Sequence, residues 1–325
     1  MTAETTLCTC IEAGALEEQV MLLAESLRRF GGRYADLPLV AVRPRAGPRL
    51  AGATRRLLAS LNVELVEKNL SAFPWWAMAN KPATMEHVDR TAKTPHVTWI
   101  DGDMVVLQEP GPFAPPPGID FIARAGEAHD VASSGHDDRA EFWQRLCARL
   151  DMRFEDFPDV TSYPDEKPIK AYWQGGLLTA RREVRFGKVF GEAYAAVLTG
   201  DIASKLAGTY HVDQVSVALA VQKGGFTQAH YDPRMNFNVN ALDKELSLKI
   251  PISDVWIMQY HGSLWPKDYA WTKTVLAALP ADRRALIDKY APFTGGGKLL
   301  KLKRKLYQLP RQRTLDAYEK RVVRY

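Results

Sequence analysis

Cysteine is scarce in this 325-residue chain, which has only Cys8, Cys10 and Cys147. Three thiols make no disulfide framework, and Cys8-x-Cys10 without a second pair is a weak metal signature. Alternate residues of a strand share a face, so Cys8 and Cys10 read as small buried hydrophobes on one side of a first strand. No stretch approaches the roughly 18 to 20 continuous apolar residues that span a bilayer. Met1 to Thr6 has neither a basic segment nor an apolar run of the secretory kind, so a cytoplasmic protein is expected. Internal repeats are lacking, and no low-complexity linker precedes Gly295-Gly296-Gly297. Positive charge is concentrated at one end. Of the net charge of +5, residues 298–325 carry +8, with ten Lys or Arg against Asp316 and Glu319, and residues 1–297 carry −3. A body of that sign is a poor general nucleic-acid binder, and none is expected as a partner.

The remaining composition, 46% apolar and 25% charged, is that of an ordinary globular protein. Thr6 to Ile11 reads as a strand. Leu16, Val20, Leu23, Leu27 and Phe30 then recur at helical spacing. Glu17 and Glu18 open that helix, Arg28 and Arg29 close it in line with the macrodipole, and Gly31-Gly32 stops it. Strand Leu37–Val42, helix Arg49–Leu61, strand Val63–Val66 and helix Asn80–Ala92 follow. This alternation predicts an α/β fold with a mostly parallel sheet flanked by helices. Beyond Leu107 the pattern is less regular. Strands are expected over Ile119–Ala123, Tyr172–Leu178 and Ser253–Tyr260, helices over Glu141–Leu150, Phe186–Leu198 and Asp213–Gln222, and an irregular segment over Phe154–Lys170. Residues 1–270 form the expected catalytic domain, and residues 271–325 a helical, basic tail.

Pro95 to Leu107 carries the strongest chemical signal. A β-branched run ends at Asp101-Gly102-Asp103, and a second apolar run follows. On extended backbone the two carboxylates share a face, while Gly102 lets the chain bend and a ligand approach. Paired oxygen donors at the carboxyl end of a buried strand suit a hard divalent cation carrying a diphosphate. The same three residues also fit a plain turn between two strands.

Four short motifs taken in order resolve this ambiguity. Asp101-Gly102-Asp103, Tyr172-Trp173-Gln174-Gly175-Gly176-Leu177, Val212-Asp213-Gln214, and His261 with Lys267 six residues later are similar to the motifs of GT-A-fold, nucleotide-sugar-dependent glycosyltransferases. The chain resembles in particular the branch containing glycogenin and the lipopolysaccharide galactosyltransferases, over roughly residues 5 to 270. The resemblance implies a GT-A, Rossmann-like fold. It also implies transfer of a hexose from a nucleoside-diphosphate sugar, with UDP favoured and configuration retained, to a glycan or lipid-linked acceptor. It assigns Mn²⁺ or Mg²⁺ to Asp101, Asp103 and His261, with Asp101 also near the ribose, and the leaving diphosphate to Lys267. Gln174, Asp213 and Gln214 line the sugar site, bordered by Gly175 and Gly176. Lys81, ahead of the strand, falls where such enzymes place a basic residue near the phosphates, and Thr9, Cys10 and Glu12 lie where base and ribose sit. Two departures stand out. Gln174 replaces the usual Asn, and the glycine after the histidine is displaced to Gly262, with Leu264-Trp265-Pro266-Lys267 in scrambled order.

The chemistry of this set is coherent. Sugar transfer develops negative charge on a diphosphate, and preorganised positive charge aimed at it is typically the largest catalytic contribution. An inverting reaction would instead need a carboxylate base, for which Asp213 and Asp232 are the candidates. Two other functions stay open. A sugar nucleotidyltransferase would carry a basic, glycine-rich loop after the first strand, where this chain reads Glu12-Ala13-Gly14-Ala15-Leu16-Glu17-Glu18. A non-catalytic binding protein could keep the fold alone. In the tail, Leu299, Leu302, Leu306 and Leu309 make an apolar stripe among Lys301, Lys303, Arg304 and Lys305. Residues 298–309 suit either an anionic membrane surface or packing on the body, and Pro310 is expected to end that helix.

Overall fold

A computed structural model describes residues 3–128, 131–205 and 211–325. The first strand, β1 (Thr5–Cys10), is wholly buried and leads through Gly14 into α1 (Ala15–Phe30). Gly14 lies at φ 111°, a conformation that favours glycine, and its N–H is held by the Glu17 side chain at 2.9 Å. Helix α1 buries Val20, Leu23 and Leu27, so the helical spacing in the sequence marks the core face. β2 (Leu39–Arg43), α2 (Gly52–Ser60), β3 (Val63–Glu67), α3 (Asn80–Thr91) and β4 (His96–Ile100) complete the alternating half. β5 (Met104–Val106) leaves the sheet after the D-G-D turn, and β6 (Phe121–Ala125) returns to it. Next come α4 (Ala140–Ala148), a two-stranded ribbon of β7 (Asp159–Thr161) and β8 (Pro168–Lys170), and the long β9 (Trp173–Arg181). α5 (Phe186–Thr199), β10 (Ile202–Ala203), α6 (Val212–Lys223) and β11 (Gln228–His230) follow.

The seven-stranded sheet runs β11-β6-β9-β4-β1-β2-β3. β1, β2, β3 and β4 are parallel, and β9 lies antiparallel to both β4 and β6. The expected α/β sheet flanked by helices is therefore present. One buried hydroxyl chain crosses it, from Thr5 to Thr98 (2.8 Å), Thr98 to Thr179 (2.6 Å) and Thr179 to Tyr231 (2.6 Å). Tyr231 closes the chain by donating to the Phe113 carbonyl at 2.7 Å, so these core hydroxyls are satisfied.

Three expectations change. Ser253–Tyr260 is not a strand of the main sheet. A 3₁₀ turn over Ile252–Asp254 follows Pro251, and only β13 (Ile257–Gln259) is extended, in a side sheet ordered β12-β13-β5 with β12 (Phe237–Asn238). The Phe154–Lys170 segment is more ordered than expected, with a 3₁₀ turn at Phe154–Asp156 and the β7–β8 ribbon. Pro310 does not end the tail helix. After α7 (Tyr269–Leu276) and α8 (Ala281–Tyr290), α9 runs unbroken from Lys298 to Arg321. Pro310 lies on an exposed turn and the helix is tied down beyond it, which offsets the lost hydrogen bond. Tyr318 is 3% exposed and packs 5.3 Å from the Trp75 ring, and β14 (Val323–Arg324) pairs with β10. Among the described residues no helix is long and apolar enough to cross a membrane.

Candidate active site

Parallel strands leave their carboxyl ends on one edge of the sheet, and there a cavity of about 330 Å³ opens. Asp101 follows β4, Gln174, Gly175 and Gly176 lie in β9, and Lys81, Asp213 and Gln214 come from the first turns of α3 and α6. Cys10, Glu12, Gly102, Asp103 and His261 complete the predicted residues that line it. Thr9 and Lys267 do not. Thr9 points to the opposite side of β1 from Cys10 and is fully buried, as strand alternation requires. Lys267 follows Trp265 and Pro266 in a turn, with its side chain exposed. The basic group inside the cavity is Lys81.

Lys81 is buried, and its Nζ donates to Asp213 Oδ2 at 2.7 Å and to the Gly175 carbonyl at 2.9 Å, with Asp101 Oδ1 at 3.4 Å. Burial alone would strip its proton, but Asp101 and Asp213 reverse that and hold it well above the usual lysine range. Asp101 Oδ1 also accepts from the Trp99 indole at 2.7 Å. Burial pushes the Asp101 carboxyl up to about 6, against the pull of Lys81. Asp103 goes the other way. Burial raises it, but hydrogen bonds from His261 and Gln259 outweigh that and hold it below the usual carboxylate range. His261 Nδ1 stands 3.5 Å from Asp103 Oδ2, and the His261 backbone sits in the left-handed region at φ 43°. Such strain in a non-glycine residue is typical of functional sites.

Several lining residues escaped the sequence reading. Gln259 Nε2 donates to Asp101 Oδ2 and to Asp103 Oδ1, 3.2 Å each, and so ties the two carboxylates together. Gln174 Nε2 donates to Gln259 Oε1 at 3.1 Å, and Gln174 Oε1 accepts from Asn236 at 2.8 Å and from the Gly176 amide at 2.5 Å. The Gln in place of the family's Asn is thus fully engaged. A lone glutamine at the end of an apolar strand, two residues before His261, was the available signal. Trp99, Asn80, Met78 and Gln19 also line the cavity. At its far end, Asn80 donates to Glu12 Oε1 at 2.8 Å, and Arg45 grips Glu12 through Nε and through Nη2 at 2.9 Å. Burial raises Glu12, but this grip holds it below the usual range. Burial also pushes the Cys10 thiol up to about 12, so it is no nucleophile at neutral pH. Asp232 is outside the cavity and is engaged by Arg234 at 2.6 Å.

Gly176 is dictated by crowding. A Cβ there would strike Gln259 Oε1 and fall 2.7 Å from Met104 Cε and 2.9 Å from Gln174 Oε1. At Gly175 a Cβ would fall 3.1 Å from Lys81 Nζ.

This mostly parallel sheet, with antiparallel β9 set beside β4 and helices on its faces, is the GT-A fold. Residues 7–225 match the model of the Rhodobacterales glycosyltransferase domain, and the chain belongs to that family. It is therefore an enzyme, a glycosyltransferase. Among solved structures, the apo form of the bifunctional glycosyltransferase WbbM is similar, with a TM-score of 0.51 and 14% identity over 90% of this chain and 52% of that one. The chain thus spans about half the length of WbbM. A galactosyltransferase, LgtC, in complex with donor and acceptor sugar analogs gives 0.48 and 12% over 86% and 100%, and mouse xyloside xylosyltransferase 1 gives 0.44 and 15% over 79% and 97%. At such identities the likeness concerns the fold. No curated protein matches the sequence.

Proposed function

We propose that this glycosyltransferase moves a hexose from a nucleoside-diphosphate sugar, UDP favoured, to a glycan or lipid-linked acceptor, with retention of configuration. The observation that carries this reading is the meeting of Asp101, Asp103, His261, Lys81 and Asp213 around one cavity at the strand ends. We divide the chain accordingly into a catalytic body of residues 1–270 and a tail of residues 271–325.

Two carboxylates and an imidazole are the donor set of a hard divalent cation such as Mn²⁺ or Mg²⁺. Among the described residues no three His, Cys, Asp or Glu side chains form a ready-made cage. A cation there would need phosphate oxygens and water to complete its shell. Asp101, Asp103 and His261 would hold it, and it would supply positive charge against the diphosphate. Lys81 adds a second, fixed positive charge and orients Asp213. Gln174, Asp213 and Gln214 offer donors and acceptors to the hydroxyls of the sugar, and Gly175 and Gly176 keep the floor clear. Glu12, with Cys10, borders the nucleoside end.

The acceptor side of this reading rests on a second cavity that shares His261, lined by Arg124, Glu127, Asn238, Asn240, Asp243 and Ser247. Arg124 Nε and Asn238 Oδ1 are buried there without a hydrogen-bond partner. Buried donors and acceptors left unmet in one cavity are what a hydroxyl-rich acceptor would satisfy.

For the tail, the leucine stripe favours a surface partner. Leu299, Leu302, Leu306 and Leu309 are 66, 58, 65 and 58% exposed, with lysines between them, which suits the interface of an anionic membrane.

The deciding experiment titrates UDP, GDP and ADP with and without Mn²⁺ and follows the melting temperature. One diphosphate at about 100 times its dissociation constant should add about 2.7 kcal/mol with Mn²⁺ present, and Asp103→Asn should abolish the effect. No stabilisation by any of the three would refute the donor site.

A further inference from the structure

The first half of α9 exposes leucines and lysines alike, and only Leu300 and Arg304 of its side chains are half-buried. Leu299, Leu302, Leu306 and Leu309 face outward, while Arg304 and Arg311 turn toward the body. They face a cavity of about 240 Å³ at the carboxyl ends of β1 and β2, whose opposite wall includes Arg43 and Arg45. Glu12 is the only carboxylate among its described lining residues, and Arg45 already occupies it. Arg43 is matched by Glu67 at 2.8 Å. The two guanidiniums from α9 bring no such match. Arg311 donates to the Ala46 carbonyl, and Arg304 has no hydrogen-bond or ion-pair partner among the described residues. Arg304 and Arg311 thus add two guanidiniums without a carboxylate partner beside two that are already paired, and like charges so close repel one another. Burial and the nearby Arg45 charge both loosen the proton on Arg311, as that crowding requires.

We propose that this cavity is a second anion site, which takes the phosphate group of a small soluble metabolite between α9 and the body. Arg43 and Arg45 are held by Glu67, Glu12 and the carbonyls of Gly47, Pro48 and Pro74, so the forks of Arg304 and Arg311 are the donors left for a tetrahedral oxyanion carrying several acceptors. Tyr307 and Gln308 add polar groups at the rim. The volume is several times the roughly 30 Å³ of a water molecule, which leaves room for the organic part of a phosphate ester. The Arg45–Glu12–Asn80 network and the shared Leu16 and Ala77 form the partition between this cavity and the one holding Lys81. An anion that draws on Arg45 therefore acts on a group that Glu12 depends on, and any coupling of the two sites must be reciprocal.

The test uses the full chain in EDTA, with inorganic phosphate exchanged for chloride at constant ionic strength. Binding is read by ³¹P line broadening and by melting temperature. Saturable binding is expected, weakened about tenfold, or about 1.4 kcal/mol, by Arg304→Gln and by Arg311→Gln, since each removes a charged hydrogen-bond donor. Arg304 has no partner to lose, so Arg304→Gln keeps the fold, which circular dichroism verifies. Glycerol phosphate should displace the phosphate. Lys81→Gln, its fold checked in the same way, should leave phosphate binding unchanged. Absence of saturable binding, or undiminished binding in Arg304→Gln, would overturn the proposal, as would loss of binding in a folded Lys81→Gln protein. No nucleotide or divalent cation enters this experiment, so its outcome is separate from that of the donor-site test.

Discussion

Lys81 Nζ donates to Asp213 Oδ2 across 2.7 Å, joining the first turn of α3 to the first turn of α6 over the floor of the cavity. Both side chains are less than a tenth exposed. Breaking such a pair leaves an uncompensated buried charge and costs about 3–5 kcal/mol, whereas removing both partners together costs less. Lys81→Met and Asp213→Asn should each lower stability by about 3 kcal/mol in urea unfolding. The double variant should lose at least about 1 kcal/mol less than the sum of the two. Strict additivity would show that the two charges do not depend on each other. Glycosyl transfer should fall by two orders of magnitude or more in both single variants, because Lys81 is the buried cation of the site.

Gly176 and Gly262 make a matched contrast. A Cβ on Gly176 would strike the glutamine that ties Asp101 to Asp103, whereas one on Gly262 would meet nothing within 4 Å. Gly176→Ala should cost about 1–3 kcal/mol of stability through overpacking. It should also raise the KM for the donor as Gln259 shifts. Gly262→Ala should leave both within error, even though this glycine departs from the family's spacing. Equal effects at the two positions would remove the crowding argument.

The contrast also shows what the sequence could reveal. The alternating half of the fold was legible, because helical and strand periodicities there coincide with burial, as in α1 with Val20, Leu23 and Leu27. Twelve of the proposed site residues line one cavity because their motifs sit at strand ends and helix starts, which the topology gathers on one edge. Thr9 and Lys267 lie outside that cavity for local reasons, strand parity in one case and an exposed turn in the other. Gln259 was missed because it lies in no motif and matters only through β13 crossing to pair with β5. The unbroken helix across Pro310 was out of reach as well. It depends on anchors at Tyr318 and β14 that are remote from the proline in sequence.

Asp89 offers a test by pH that lies away from the proposed metal ligands. It is 1% exposed, its Oδ2 accepts from the Gly187 amide at 2.5 Å, and its Oδ1 has no partner. Burial pushes its carboxyl up to about 7, against the pull of the Gly187 hydrogen bond and of Arg185. The folded chain therefore binds this proton more tightly than the unfolded chain, whose carboxyl titrates near 3.9. The resulting stabilisation is complete below about pH 4 and is lost as pH rises through about 7. Asp89→Asn keeps an acceptor for Gly187 and removes the titration. Relative to the parent, the variant should gain about 2 kcal/mol or more on going from pH 4 to pH 8, measured as the difference in unfolding free energy. A difference independent of pH would mean that Asp89 is not protonated in the folded chain near neutrality.

The exposed stripe on α9 predicts a surface interaction that can be cut without touching the catalytic body. Leu302 and Leu306 are more than half exposed, and Lys301, Lys303 and Lys305 lie beside them. Burying apolar side chains in a membrane interface contributes roughly 25 cal/mol per Å², and each nearby lysine adds about 1 kcal/mol on an anionic surface. The chain should therefore sediment with phosphatidylglycerol vesicles at low salt and much less with phosphatidylcholine vesicles. Leu302→Glu with Leu306→Glu should abolish sedimentation while leaving the melting temperature within a degree or two, because neither side chain packs on the core. A large drop in melting temperature would instead place the stripe against another copy of the chain, and light scattering would then show a dimer in the parent. Unchanged sedimentation in the double variant would mean that charge alone holds the tail to the vesicle, and the leucines would need another explanation.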